Sequence, residues 1–81
     1  MIDENWAVSL ERAQEFFLSQ PDVTQQNGNF NYKSCCISLK AQKPSAPPWN
    51  LPRIQLQITG EVADVQDIHR RFFLRFLSAG G

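Results

Sequence analysis

His69, Cys35 and Cys36 are the side chains of this sequence best suited to act as a base, a nucleophile or a metal ligand. A histidine can serve as a general base near neutral pH or bind a metal. However, His69 is the single histidine of the 81 residues, and no cysteine or acidic residue stands at a spacing that would complete a site with it. We therefore expect a buried or half-buried imidazole that is hydrogen-bonded to the backbone.

The two cysteines are adjacent, and adjacent cysteines form only rare, strained disulfides. A reactive thiolate usually needs a helix N-terminus or a cation that lowers its pKa. Lys33, two residues before Cys35, is the only support of that kind. The sequence predicts that Cys35 and Cys36 pack as small apolar side chains of a strand, in a reduced compartment such as the cytoplasm.

The sequence contains none of the short motifs that mark common catalytic sites. A glycine-rich phosphate loop, a GxSxG turn and an HExxH helix are all missing, and two of the four glycines stand at the C-terminus. We expect a protein without catalytic activity, cofactor or metal. The acidic start MIDENWAVSLERAQ does not resemble a signal peptide, and no apolar run reaches the ~20 residues of a membrane span.

Residues 69–77 read HRRFFLRFL, which combines three arginines with three phenylalanines. The spacing of apolar residues predicts a helix over about 62–78. On a helical wheel one arc collects Val62, Val65, Phe72, Phe73 and Phe76, with Ile68 and Leu77 at its margins. These residues are predicted to form one wall of the core, since the phenylalanines offer the largest apolar surface in so small a chain.

The opposite side of this helix carries Arg70, Arg71 and Leu74, with Arg75 at its border. One interpretation is a solvated face in which Asp67, four residues before Arg71, pairs with it. The other is a binding surface. Leu74 would be an exposed apolar residue among arginines, which suits a protein contact better than a phosphate groove.

Residues 41–52 read AQKPSAPPWNLP and form a proline-rich loop, because proline disrupts both helices and ladders. Trp49 in this loop either packs on the core or forms an exposed contact. The predicted partner-binding surface is Arg70, Arg71, Leu74, Arg75 and Trp49. The predicted function is that of a small regulatory domain that binds another protein, whose identity is unknown.

Nucleic-acid binding is the alternative function. Eight basic and eight acidic residues give a net charge of zero, so binding would require a local basic patch. The candidates are Lys33, Lys40, Lys43 and Arg53 on the sheet side, together with the arginines of the helix.

The N-terminal segment shows helical spacing. Its apolar residues recur at intervals of four and three: Ile2, Trp6, Leu10, Ala13 and Phe17. This predicts a helix over residues 4–19 with Asp3 as its N-cap.

Strands are predicted in the middle of the chain. Asn27-Gly28 is a strong hairpin-turn signal, which would join a short strand over 22–26 to a longer strand over 29–40. The alternation shifts phase along the longer strand, which we interpret as a bulge near Ser34–Cys36. Residues 53–59 alternate cleanly and predict a strand with one wet face.

These elements predict one small α+β domain over residues 1–81. Its antiparallel sheet would have two or three strands, with an N-terminal and a C-terminal helix packed on one face, in the order α-β-β-β-α or α-β-β-α. The first order is similar to that of double-stranded RNA-binding domains, although Glu61, Asp64 and Asp67 stand where that family carries lysines. An exposed strand edge or the wet sheet face would also allow a homodimer.

Overall fold

A computed structural model describes residues 1–43 and 51–79 of the chain. Within those residues, five strands form one antiparallel sheet and two helices pack on one of its faces. The elements are β1 (Ile2–Trp6), α1 (Leu10–Ser19), β2 (Thr24–Gln26), β3 (Asn29–Tyr32), β4 (Cys35–Gln42), β5 (Arg53–Thr59) and α2 (Val62–Ala79). The strand order across the sheet is β1-β5-β4-β3-β2.

The α+β class is therefore confirmed, whereas the predicted sheet of two or three strands is wrong. A strand precedes the first helix, so both predicted orders, α-β-β-β-α and α-β-β-α, are wrong as well. The likeness in element order to double-stranded RNA-binding domains disappears with them. Trp49 falls in residues 44–50, which lie outside the described part of the chain.

The N-terminal segment is a strand followed by a shorter helix, not one helix over 4–19. Ile2 and Trp6 fit a helical spacing of four, but they also fit the two-residue period of a strand. β1 pairs with β5 in antiparallel register, with Ile2 opposite Ile58. α1 then begins after Ser9, whose hydroxyl accepts a hydrogen bond from the Arg12 backbone N–H at 3.2 Å. Ser9, not Asp3, is the N-cap.

The predicted strand over 29–40 is a hairpin. β3 and β4 are joined by a turn at Lys33–Ser34, where Lys33 takes a φ of 51°. Tyr32 pairs with Cys35 across the turn, which explains the phase shift and replaces the predicted bulge. Lysine is not a typical turn residue at positive φ, so the pattern concealed this turn. The turn predicted at Asn27-Gly28 is confirmed, with positive φ at both residues.

The core lies between the two helices and the inner face of the sheet. Its largest fully buried side chains are Phe17, Phe30, Tyr32, Ile37, Ile54, Leu56, Ile58, Ile68 and Phe72. The rings of Phe17 on α1 and Phe72 on α2 stack at 5.5 Å. Two of the three phenylalanines in HRRFFLRFL are buried, but Phe73 is 40% exposed, so its assignment to the core is wrong. Val62 and Leu77 are also exposed.

The outer face of the sheet is polar, as the alternation in residues 53–59 predicted. It carries Asp3, Asn5, Cys36, Ser38, Lys40, Gln42, Gln55 and Gln57. Gln55 donates a hydrogen bond to Asp3 at 3.0 Å, and Gln42 donates one to Gln55 at 3.1 Å. These amide contacts tie β1, β5 and β4 together across the exposed surface.

The β3–β4 turn also fixes the start of α2. The Ser34 hydroxyl accepts a hydrogen bond from the Glu61 backbone N–H at 3.0 Å and donates one to the Asp64 carboxylate at 2.7 Å. Gly60 makes this approach possible, because a Cβ there would lie 2.8 Å from the Ser34 carbonyl oxygen. Its φ of 147° is also one that only glycine adopts readily. The position and direction of α2 follow from these contacts.

Candidate binding surface

Arg71 belongs to a network that holds α2 against the rest of the fold. Its guanidinium donates to both carboxylate oxygens of Asp22, at 3.0 and 3.2 Å, and to the Tyr32 hydroxyl at 3.2 Å. It also lies over the Tyr32 ring, 5.0 Å from its centre, while the Tyr32 hydroxyl donates to Asp67. The Arg71 hydrogen bonds hold the pKa of Asp22 below its usual value. This guanidinium is thus already engaged within the chain.

Arg70 and Arg75 are placed differently from Arg71. Both side chains are exposed, and neither forms an ion pair with a described residue. The Arg75 guanidinium lies 5.6 Å from the centre of the Phe76 ring. Of the three arginines predicted to bind a partner, these two present their charge to solvent.

Apolar side chains accompany Arg70 on the solvent side of α2. Phe73 is 40% exposed, and Leu74 and Leu77 are each 56% exposed. We name Arg70, Phe73, Leu74 and Leu77 the α2 outer face. Contiguous exposed apolar side chains on a small protein often mark a contact site. Leu74 was predicted for this surface, whereas Phe73 and Leu77 were missed.

The missed signal is the width of the apolar arc. Apolar residues cover more than half of the α2 circumference, and a helix on one side of a sheet can bury only a narrower stripe. Buried positions are taken by Val65, Ile68, Phe72 and Phe76. Phe73 is therefore left on the flank, where its ring and the half-buried Trp6 ring are nearly perpendicular, with their centres 5.9 Å apart.

A cleft of about 450 Å³ opens beside the α2 outer face. We name it the Trp6 cleft. It lies between the β1–α1 connection, the C-terminal half of α2 and Leu51, near the end of the proline-rich loop. Its lining is chiefly apolar and includes Trp6, Val8, Leu51, Phe76 and Leu77, with Arg12 as the charged residue.

A second, smaller groove of about 240 Å³ runs between α1 and α2. It shares Arg12 and Phe76 with the Trp6 cleft, and it adds Arg75 and Glu15. The two concavities therefore meet at Phe76 and bring Arg12 and Arg75 to the same side of the molecule. Neither Arg12 nor Trp6 was predicted to belong to a binding surface, because their proximity to α2 arises only in the folded chain.

His69 lies on the same flank of α2 as Phe73, against β1. Its Nε2 is 2.8 Å from the Glu4 carboxylate, which also accepts a hydrogen bond from the Trp6 indole N–H at 3.1 Å. Burial raises the pKa of Glu4, but the hydrogen bonds from His69 and Trp6 outweigh it, so the pKa lies below its ordinary value. The imidazole is half-buried, as predicted, but its partner is a carboxylate 65 positions away rather than the backbone.

The two cysteines point to opposite faces of β4. Cys35 is buried on the core side and Cys36 is exposed on the outer face, and both are free thiols. Burial raises the pKa of the Cys35 thiol. That direction is the opposite of what a reactive thiolate requires, so Cys35 packs as a small apolar side chain.

The basic residues of the alternative function do not form one patch. Lys33 lies in the β3–β4 turn, with its ammonium 5.3 Å from the centre of the Tyr32 ring. Lys40 stands seven positions further along, near the opposite end of β4, which corresponds to roughly 20 Å of extended strand. Lys43 and Arg53 line a polar depression with Asn5 and Gln42 at that far end. Lys33 is thus separated from the other three.

No protein-family model, curated protein or solved structure matches this chain. In residues 1–43 and 51–79, neither helix combines the length and apolar character needed to cross a bilayer.

Proposed function

We propose that this chain is a non-catalytic interaction domain that binds another protein through the α2 outer face. The observation that carries the proposal is the exposure of Phe73, Leu74 and Leu77 beside Arg70 on a helix whose opposite side is buried. Aromatic side chains and arginine are the residues that most often dominate protein–protein contacts. Arg75 extends this surface toward α1.

The energetics favour a protein partner. Covering an apolar side chain that is about half exposed contributes roughly 1 kcal/mol, and the outer face offers three of them side by side. A purely phosphate-binding surface gains nothing from such residues. Arg71 supports this surface by fixing the orientation of α2 through Asp22, rather than by meeting the partner itself. Trp49 was predicted to contribute as well, but it lies outside the described residues.

Nucleic-acid binding is the second candidate function. It rests on Lys43 and Arg53, which share a polar depression, and on nearby Lys40 of the same sheet face. Asp3 on that face reduces the local positive charge. Binding of this kind weakens steeply with salt because it releases counterions, whereas an apolar contact does not.

Self-association through the free edge of β1 is less favoured. Asp3 and Glu4 are adjacent in this strand, and two antiparallel copies centred there would bring like charges together. The proposed setting is the cytoplasm, where reducing conditions would preserve the two free thiols.

The experiment compares partner capture by three forms of the chain. The wild type, the double variant Arg70→Glu/Leu74→Ser and the control Lys40→Glu are immobilised, and captured proteins are quantified by mass spectrometry. We expect proteins captured by the wild type and the control to be lost by the double variant. Both substitutions are on exposed positions, so the melting temperature should change by less than about 4 °C. Equal recovery by the double variant would reject the α2 outer face.

A salt titration with mixed single- and double-stranded nucleic acids tests the second candidate. Binding at low salt that is lost in Lys43→Glu/Arg53→Glu would favour it. The absence of any mobility shift at low salt would eliminate it.

A further inference from the structure

The Trp6 cleft is continuous with the α2 outer face. Leu77 belongs to both, and the Phe73 ring of the outer face packs nearly perpendicular to the Trp6 ring, with their centres 5.9 Å apart. Phe76, which is only 5% exposed, forms part of the lining. A partner that covers the outer face therefore reaches a concave apolar site at its border.

The charge around the cleft is positive. Arg12 lines the cleft and Arg75 lines the adjoining groove, and both side chains are exposed. Glu15 is the acidic residue of that groove, so two guanidinium groups face one carboxylate. Within the described residues neither arginine forms an ion pair. Guanidinium groups bind carboxylates in a bidentate manner, and they also stack on aromatic rings, as Arg75 does on Phe76.

From this geometry we infer that the Trp6 cleft receives a bulky apolar side chain from an acidic segment of the partner protein, whose carboxylates pair with Arg12 and Arg75. The inference rests on the proposed function and specifies the class of partner. A cleft of about 450 Å³ lies within the range of about 300–1,000 Å³ that holds compact ligands. One buried anchor surrounded by polar contacts is the usual arrangement of an interface hot spot.

A second copy of this chain fits the cleft less well than a different protein. The acidic, apolar segment that this chain itself exposes is α1, where Leu18 is 56% exposed and Glu11 and Glu15 are also exposed. A contact between α1 of one copy and the cleft of the next joins two different surfaces. Such heterologous contacts extend into open-ended chains unless they close into a ring.

The test uses fluorescently labelled synthetic peptides of about 12 residues, in which leucine and phenylalanine recur at helical spacing. In one peptide the intervening residues are aspartate and glutamate, and in the other they are lysine. A third peptide keeps the acids and replaces the apolar anchors by serine. Affinities are measured by anisotropy against the wild type, Arg12→Glu, Leu77→Ser and the control Lys40→Glu.

Arg12→Glu is a suitable probe because it should not weaken the fold. Ser9 is the N-cap of α1, and a glutamate three residues later completes a capping box and complements the helix dipole. Lys40→Glu makes the same change of charge on the outer face of the sheet. A loss of affinity in Arg12→Glu alone therefore reports the cleft rather than unfolding or net charge.

We expect the acidic peptide to bind at least about tenfold more tightly than the lysine and serine peptides, and Arg12→Glu and Leu77→Ser to weaken it by a similar factor. Equal affinity of the acidic and lysine peptides, or no effect of Arg12→Glu, overturns the inference. Light scattering that shows growing assemblies abolished by Leu18→Ser also overturns it, in favour of a second copy. Peptide binding that appears only when residues 44–50 are replaced by a Gly/Ser linker also overturns the inference, in favour of a segment of this chain as the occupant.

Failure of this inference is distinguishable from failure of the proposed function. If partner capture depends on Arg70 and Leu74 but is unchanged in Arg12→Glu, the α2 outer face is supported as the binding surface and the role of the Trp6 cleft is rejected. If the double variant Arg70→Glu/Leu74→Ser still captures the partner, the proposed function itself is rejected.

Discussion

The carboxylate of Glu4 on the first strand lies 2.8 Å from the imidazole Nε2 of His69 on the last helix. Glu4 stands on the inner face of β1, opposite Leu56, yet its side chain remains 41% exposed. The same carboxylate accepts the Trp6 indole N–H. This contact joins the edge strand of the sheet to α2.

Replacing Glu4 by glutamine should destabilise the fold in a pH-dependent manner. The pKa of Glu4 in the folded chain lies below its ordinary value of 4.5. The ionised carboxylate therefore stabilises the fold above that ordinary value, and this contribution is lost as the pH falls through the lowered pKa. Because solvent screens the pair, we expect Glu4→Gln to cost about 0.5–1 kcal/mol at pH 7. Urea unfolding at pH 7 and pH 3.5 should show the difference from the wild type shrinking at the lower pH. A constant difference would contradict this prediction.

Removing the Ser34 hydroxyl should weaken the attachment of α2. Ser34→Ala removes the acceptor of the Glu61 N–H and the donor to Asp64. Loss of a helix cap costs about 0.5–2 kcal/mol, and we expect a decrease of that size in the free energy of unfolding. Ser38→Ala, on the outer face of β4, is the control and should cost less than about 0.5 kcal/mol. Equal effects of the two substitutions would rule out the capping role.

Alanine should be tolerated much less at Gly60 than at Gly28. Both glycines have positive φ, so both substitutions strain the backbone by about 1–2 kcal/mol. A Cβ at Gly28 meets nothing within 4 Å, whereas at Gly60 it lies 2.8 Å from the Ser34 carbonyl oxygen and 2.9 Å from the Cys35 Cα. We therefore expect Gly60→Ala to cost at least about 1 kcal/mol more than Gly28→Ala. Denaturant midpoints measured side by side would test this order, which a reversal would disprove.

The neighbouring phenylalanines of α2 should differ sharply in their effect on stability. Phe72 is fully buried and stacks on Phe17, so Phe72→Ala should cost about 3–5 kcal/mol. Phe73 is 40% exposed, and Phe73→Ala should cost about 1 kcal/mol. If Phe72→Ala does not fold, Phe72→Leu still allows the comparison by urea unfolding. Similar losses at the two positions would mean that Phe73 belongs to the core after all.

Regular local patterns were sufficient to predict several elements. The alternation of residues 53–59 matches β5, the Asn27-Gly28 turn is present, and α2 at Val62–Ala79 agrees closely with the predicted 62–78. These features depend on near neighbours in the chain. Turn chemistry and the position of apolar residues every two or three to four positions are therefore enough to identify them.

For the candidate binding surface, the sequence identified the helix and the side that faces solvent. It did not identify which side chains on that side are exposed and available to a partner. Arg71 was grouped with Arg70 and Arg75, yet a carboxylate 49 positions away engages it. Phe73 was assigned to the core because a helical wheel shows only the direction in which each side chain leaves the helix axis. How much of that arc is covered depends on the elements that pack beside it, and β1 was not recognised as one of them.

The sequence alone was sufficient to predict the α+β class, the terminal helix, the wet sheet face and the packing of Cys35, since each depends on local spacing, whereas Cys36 is exposed. Only the tertiary structure decided that residues 2–6 form a strand, because their apolar spacing fits two periods and the ladder with β5 selects one. It likewise decided that Lys33 turns the chain, that Arg71 is engaged by Asp22, and that Arg12 and Trp6 meet α2. Contacts between residues far apart in sequence carry no local signature, so folding alone brings them together.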